Sequence, residues 1–449
     1  MGKILLISSN TCTCPTPVYP IGMAMVAAAL KRAGHRVAQF DVLEKNRDEF
    51  ALKSFIQEFE PDFIGISIRN IDNVDSTDND GGWFLKEVKD LVSYLRTLSN
   101  CPIVLGGSAF SLLPQEILDY TCADYGIAGE GEKSFPEFIS AMDANRPQPR
   151  IIVSSSGLIP GKEIISPDLK DNLVLFYLEK SGMVNIQTKR GCPNNCAYCS
   201  YPALEGTRFR FRDPVDVVDD IERMKKDHGV SSLFFTDSLF NDSQGNYLVI
   251  AEELIRRRVD VKWSAFFSPK EISKQGLRIM KRSGLYAMEL GTDAGCDKTL
   301  EGLNKGFSFS NVIETNELCR KEEIPAAHFI MFGGPEESEK TLGEGLKNIE
   351  RLKSSVVFVY SGIRILPETA LYKRAVQENL LSNTDSLLKP VYYFSPKIDA
   401  QNINTRVIDA FGKRKDRIFP PSKGEIRMKA LHMFGFKGLL WNYIATQKG

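Results

Sequence analysis

Apolar residues in the first 145 positions cluster into short runs separated by amphipathic stretches. Lys3–Ser8, Arg36–Asp41, Asp62–Ile68 and Pro102–Gly107 are rich in Ile, Val, Leu and Phe without polar alternation, as expected of strands buried on both faces. Helical spacing fills 21–33, 48–59 and 83–98, and Gly34 follows the first of these as a C-cap. Strands alternating with helices predict a parallel, doubly wound (Rossmann-like) α/β sheet, whose ligands bind beyond the strand C-termini. The loops expected there are 9–20, 69–82, 106–113 and 128–133.

Residues 146–182 read as a connector with little periodicity. A second strand–helix series follows, with strands at 183–188, 232–236, 261–267, 287–292, 326–332 and 356–365. Six such units predict a partial, TIM-like (β/α)6 barrel over 183–370, with its site at the strand C-termini. Regularity fades after that, so 371–449 is assigned to a small C-terminal region of mixed, mainly α structure.

Composition changes little in this picture. The chain is 449 residues long, 43% hydrophobic and 25% charged, values ordinary for a soluble globular protein. Its 57 basic and 57 acidic residues balance, which argues against nucleic acid as a partner. The N-terminus reads as a strand, not a signal peptide, and no apolar run reaches membrane-spanning length, so a cytoplasmic location is expected. Residues 401–449 carry ten Lys or Arg against three Asp or Glu, interleaved with Phe434, Phe436, Leu439, Leu440 and Trp441. Such a tail suits either peripheral contact with an anionic membrane or a packing helix with solvated lysines.

Three of the nine cysteines, Cys192, Cys196 and Cys199, lie just past the first barrel strand in a C-x3-C-x2-C spacing. Zinc is disfavoured, since His35, His228, His328 and His432 are not at ligand spacing. A four-cysteine [4Fe–4S] site has no evident fourth ligand, because Cys12, Cys14, Cys101, Cys122, Cys296 and Cys319 are scattered. A thioredoxin-like reading of Cys196–Cys199 leaves Cys192 unexplained. Three thiolates on a [4Fe–4S] cluster would leave one iron open to a small molecule.

With Tyr198 in its aromatic position, this loop resembles that of the radical S-adenosylmethionine (SAM) superfamily. The resemblance implies that SAM chelates the open iron and is cleaved reductively to a 5′-deoxyadenosyl radical. It further implies an electron donor such as flavodoxin or ferredoxin. Phe234–Asn241, Gly291–Leu300, Phe332–Ser338 and Ile363–Thr369 look like the family's SAM-contacting segments. Carried over by position, the SAM-binding residues are Tyr198, Asp237, Asn241, Asp293, Gly333 and Arg364. Asp293 stands where the family usually has Glu, one methylene longer.

Upstream, Pro20–His35, Leu105–Ser108 and Ala128–Glu132 resemble the cobalamin (B12)-binding domain fused to one large class of these enzymes. Gly106, Gly107, Gly129 and Gly131 would keep side-chain bulk away from a flat corrin. Arg69, Asn70, Ser108 and Glu130 complete the cobalamin candidates. The loop after the first strand lacks the D-x-H-x2-G histidine that ligates cobalt in many cobalamin proteins. The lower cobalt face is therefore expected to lack a His ligand and to meet Arg69 or Asn70.

The family likeness implies methylation of an unactivated carbon or phosphorus centre of a small-molecule or lipid-like substrate. The competing readings are a non-methylating radical enzyme with cobalamin structural or absent, and a cluster-bearing redox sensor. Ser76–Glu87 only approximates a calcium loop, because a strand precedes it. Gly126–Ser134 fails as a phosphate loop, because Glu132 separates Gly131 from Lys133. His328 is expected to pack within the barrel or to face its substrate.

Overall fold

The computed structural model describes residues 1–13, 16–78, 82–154, 157–438 and 440–445. The first six strands are β1 (Lys3–Ser8), β2 (Arg36–Asp41), β3 (Phe63–Ser67), β4 (Ile103–Gly106), β5 (Tyr125–Ala128) and β6 (Ile151–Val153). They form one parallel sheet in the order β2-β1-β3-β4-β5-β6. Alternate residues of β1 face opposite layers. Leu5 and Ile7 join Val88 and Val92 of the helix Leu85–Leu98, while Ile4 and Leu6 join Met23 and Phe135 on the other side. The strand order reverses between β1 and β3, which places a ligand crevice at their C-terminal ends.

The sheet extends into residues read as a connector. Ile151–Val153 adds the edge strand, and Asp171–Ser181 is a helix whose Leu173, Val174 and Tyr177 are buried. A three-residue strand is too short to show a period, and this helix is weakly amphipathic because an apolar residue, Leu175, also stands on its exposed side. Its Tyr177 hydroxyl donates to Asp41 at 3.1 Å, tying the segment to the first sheet.

The second sheet begins with β7 (Val184–Ile186). Two short strands, β8 (Lys189–Arg190) and β9 (Arg210–Phe211), pair antiparallel beside it. The barrel continues through β10 (Ser232–Phe235), β11 (Lys262–Phe267), β12 (Leu285–Asp293), β13 (Ala326–Phe332) and β14 (Ser355–Ser361). The expected final run, 356–365, is divided: β15 (Ile363–Arg364) leaves the barrel to pair antiparallel with β16 (Tyr392–Tyr393). A seventh parallel strand, β17 (Arg417–Ile418), comes from the C-terminal region, giving the order β17-β14-β13-β12-β11-β10-β7. Arg417 anchors it, its buried guanidinium donating to the carbonyls of Ile349, Leu352 and Ser355.

The tail aromatics divide between core and surface. Leu440, Trp441 and Ile444 pack with Ala287, Ala327, Val356 and Phe358 on the inner face of the barrel. Gly438 N donates to Ser181 O at 2.7 Å just before β7, so this segment enters from the end where the strands begin. Met433 and Phe434 stay exposed, and Leu439 lies outside the described residues. No helix among the described residues is long and apolar enough to cross a membrane.

Candidate functional site

The cysteine loop is fastened from several sides. Gly191 has φ +84°, and a Cβ there would lie 2.1 Å from Arg208 O, so only glycine allows the chain to pass. Cys192 N donates to Gly206 O at 3.0 Å, Ala197 N to Leu303 O at 2.9 Å, and Ser238 Oγ to Gly191 O at 2.9 Å. Asn304 Nδ2 donates to Asn195 O at 2.7 Å, and Lys305 Nζ lies 3.4 Å from Cys196 Sγ.

Burial pushes the Cys192 thiol up, and burial with Cys196 and Cys192 nearby pushes Cys199 up to about 12. All three are free thiols on one loop, close enough to influence one another electrostatically. Binding as thiolates to a cationic centre would remove that protonation preference. No three His, Cys, Asp or Glu side chains among the described residues converge on a single-ion site. The donor set fits a larger thiolate-bound centre, the iron–sulfur cluster, with Lys305 supplying a nearby positive charge.

Of the SAM candidates, Tyr198 and Asp293 come together beside this loop. The Tyr198 hydroxyl donates to Asp293 Oδ2 at 2.7 Å, and Lys305 pairs with the same oxygen. Burial alone would lower the Lys305 pKa; Asp293, Tyr198 and Cys196 reverse this and hold it well above its ordinary value. Asp293 itself adopts φ +62°, an uncommon conformation for a non-glycine residue.

Asp237 lies beneath the loop. Its carboxylate accepts from Thr188 N at 2.8 Å, Thr188 Oγ1 at 2.5 Å and Lys189 N at 3.2 Å, which fixes the end of β7. Asn241 clips the loop after β10 to that after β11, through Ser268 N at 2.9 Å and the carbonyls of Ser268 and Lys270. Gly333 follows β13 with φ +89°, packed beside Phe394 and Ile403. Arg364 turns towards the first domain, where its guanidinium meets Asp72 and the carbonyls of Ile365 and Leu387.

Every cobalamin candidate lies on one cavity of about 600 Å³: Arg69, Asn70, Gly106, Gly107, Ser108, Gly129, Glu130 and Gly131 all line it. The cavity covers the crevice between β1 and β3, as the strand order requires. A Cβ at Gly129 would meet no protein atom within 4 Å, and one at Gly106 only Ile127 O at 3.8 Å, so these glycines leave room for a flat ligand. Asn10 Nδ2 is a buried donor on the same wall without a partner among the described residues. Arg69 stands in the cavity, and the enclosing walls push its pKa down. No histidine lines the cavity among the described residues. The wall therefore suits a corrin whose lower face lacks an imidazole.

The opposite wall belongs to the barrel and includes Gln187, Arg190, Tyr201, Leu204, Glu205 and Phe266. Sequence reasoning missed these residues. Tyr201, Leu204 and Glu205 follow Cys199 at helical spacing, the one signal that they could face a common partner. Glu130 also joins the two walls, accepting from Arg190 at 2.9 Å, Arg210 at 2.6 Å and Ile159 N at 2.6 Å.

The remaining motifs stand apart. His328 is fully buried between Thr292 Oγ1 at 2.8 Å and Asn316 Oδ1 at 3.1 Å, and burial pushes its pKa down to about 3. It is a neutral packing residue on the outer face of β13 and does not face the lumen. Cys14 of the first loop, and Asp80 and Gly81 of the calcium-like stretch, lie outside the described residues.

Two family models match the chain, one described as the B12 binding domain over residues 10–139 and one as the radical SAM superfamily over 186–349. A tryptophan 2-C-methyltransferase of Streptomyces laurentii is 23% identical over 84% of this chain and 75% of its own length. An anaerobic magnesium-protoporphyrin IX monomethyl ester cyclase of Cereibacter sphaeroides is 26% identical over 72% of this chain and 55% of its own. Among solved structures, the radical SAM methyltransferase TsrM of Kitasatospora setae, with cobalamin and a [4Fe–4S] cluster bound, superposes with a TM-score of 0.86. That match has 22% identity and covers 99% of this chain and 97% of that one.

Proposed function

The chain belongs to the cobalamin-binding radical SAM enzymes, and from that premise we propose that it is a methyltransferase. It takes the methyl group of SAM and delivers it, by way of cobalamin, to an unactivated carbon or phosphorus centre of a small molecule. When bound, the cluster supplies the electron that cleaves SAM to a 5′-deoxyadenosyl radical, and cobalamin supplies the methyl group in transferable form. The electron comes from a donor such as flavodoxin or ferredoxin.

One observation carries this reading: a single cavity has the cobalamin candidates on one wall and the helix following Cys199 on the other. A cobalamin with a purely structural role would not need to face the cluster loop. Shared walls would hold two bound cofactors in a fixed relation, which would make group transfer between them effectively intramolecular. The protein's own contributions are positional. Cys192, Cys196 and Cys199 would hold the cluster, while Lys305, Asp293 and Tyr198 brace its loop. Arg69, which lines the cavity, would face the corrin as a cation that cannot ligate cobalt and would favour an electron-rich metal.

The test is product analysis on the anaerobically reconstituted chain with SAM, reductant and candidate substrates. Both S-adenosylhomocysteine and 5′-deoxyadenosine are expected in the presence of a methylated product. Deoxyadenosine alone would rule out methylation and favour ring formation, oxidation or rearrangement. S-adenosylhomocysteine alone would remove the radical half of the proposal.

A further inference from the structure

Among the described residues, the inner face of the barrel is filled only at the end where its strands begin. Outward-facing residues of β10–β14, among them Phe235, Phe267, Leu290, Ile330 and Val359, are fully buried under the helices. The inward-facing set differs: Phe234, Phe329, Met331 and Tyr360 keep part of their surface, and Phe266 is 41% exposed. Side chains at period two on neighbouring strands share a face, so these residues surround an open chamber. Phe266 also lines the cobalamin cavity, so chamber and cavity adjoin.

One carboxylate stands on this apolar wall. Glu289 sits in register between Phe266 of β11 and Ala327 of β13. Its Oε1 accepts from Trp441 Nε1 at 3.0 Å, and no other hydrogen bond or ion pair reaches it among the described residues. Other buried carboxylates here are well supplied: Asp237 takes three donors and Asp242 four, counting Gln244 N, Asn246 N, Asn246 Nδ2 and Tyr247 N. A carboxylate has roughly four lone-pair sites, and buried polar groups are ordinarily satisfied. Glu289 is undersupplied by comparison, and its position serves no strand end or loop.

Trp441 does two things at that position. It closes the chamber from the end where the strands begin, and its ring starts an aromatic ladder leading to the cavity wall. Trp441 meets Phe358 at 5.4 Å, Phe358 stacks on Phe329 at 5.3 Å, and Phe329 meets Phe266 edge-on at 6.4 Å. Such faces and edges suit another flat ring. The donor Glu289 already accepts is an indole N–H.

We infer that Glu289 is the specificity-determining residue of a substrate chamber in the barrel lumen, where its unpartnered oxygen accepts a hydrogen bond from an N–H group on a flat aromatic substrate. The inference rests on the transferase reading for its assumption that substrate enters the lumen. Glu289→Gln would reverse the chamber's polarity: with the Gln carbonyl taking the Trp441 N–H, its NH2 group would present a donor to a donor.

The experiment is calorimetric titration of the full chain with indole and with 1-benzothiophene, which has the same shape but sulfur in place of N–H. Titrated at pH 8, where the Glu289 carboxyl is ionised, indole is expected to bind roughly tenfold or more tightly than benzothiophene, the discrimination of one hydrogen bond to a charged acceptor. In E289Q, indole is expected to fall to the level of benzothiophene, whose own affinity stays unchanged. Equal affinities in the unmodified chain, undiminished indole binding in E289Q, or no binding of either probe would overturn the inference. The comparison of two probes on the unmodified chain does not depend on how the variant folds. Because equilibrium binding needs no SAM turnover, failure here leaves methyl transfer to be judged separately by S-adenosylhomocysteine formation.

Discussion

Arg364 Nε donates to Asp72 Oδ2 at 2.8 Å across 292 residues of sequence, joining the barrel to the loop that carries Arg69 and Asn70. Both side chains are only 3% exposed. Removing one partner of a buried pair strands the other charge, at a cost of about 3–5 kcal/mol. Arg364→Met is therefore expected to lower the melting temperature and weaken cobalamin binding. The double variant Arg364→Met/Asp72→Asn should recover part of the stability. Unchanged cobalamin affinity in the single variant would show that the pair does not shape the cavity.

Lys305 brings a positive charge to 3.4 Å from Cys196 Sγ. Removing it as Lys305→Met should leave iron and sulfide content intact but shift the cluster's reduction potential to more negative values, since cations near the thiolates favour the reduced state. A redox titration followed by electron paramagnetic resonance reads this directly. A potential equal to that of the parent would mean that Asp293 already cancels the charge.

Glu289 carries a stability signature that needs no ligand. Burial pushes its carboxyl from the ordinary 4.5 up to about 7, with the Trp441 N–H opposing only in part. The folded state then holds a proton that the unfolded chain releases at lower pH. The contribution of Glu289 is most favourable below about pH 4.5 and is lost as pH rises through about 7. The full change is on the order of 3 kcal/mol, at 1.36 kcal/mol per pKa unit. Glu289→Gln should accordingly raise the melting temperature relative to the parent at pH 8 and change it little at pH 5. Equal shifts at both values would place the ionised carboxylate in a better-solvated setting.

Arg69 lines the cavity that holds the cobalamin candidates, and no histidine lines it among the described residues. Arg69→His should supply a nitrogen ligand from below, visible as nitrogen hyperfine splitting in the spectrum of bound cob(II)alamin. The parent should show none. Nitrogen splitting in the parent would mean that another group ligates cobalt.

Local pattern was enough to read the two sheets, the glycine-lined crevice and the three cysteines. Fully buried strands such as Lys3–Ser8 and Ala326–Phe332 announce themselves as apolar runs, and the cysteine spacing lies within one loop. Tyr125–Ala128, Ile151–Val153 and Arg417–Ile418 escaped because four, three and two residues show no period. Arg364 shows the opposite difficulty. Its motif suggested a SAM contact, yet its guanidinium is taken up by Asp72 and two carbonyls whose proximity no local pattern encodes.

By itself, then, the sequence determined the longer elements, which side they bury and which thiols share a loop, because those properties depend on neighbours within a few residues. Tertiary structure alone decided that the cobalamin crevice and the cysteine loop share one cavity. It alone turned a basic, aromatic tail into the plug that brings Trp441 to Glu289, 152 residues away. Both results come from burying apolar surface between distant segments. That driving force is non-directional, and which faces meet depends on the shape of the whole chain.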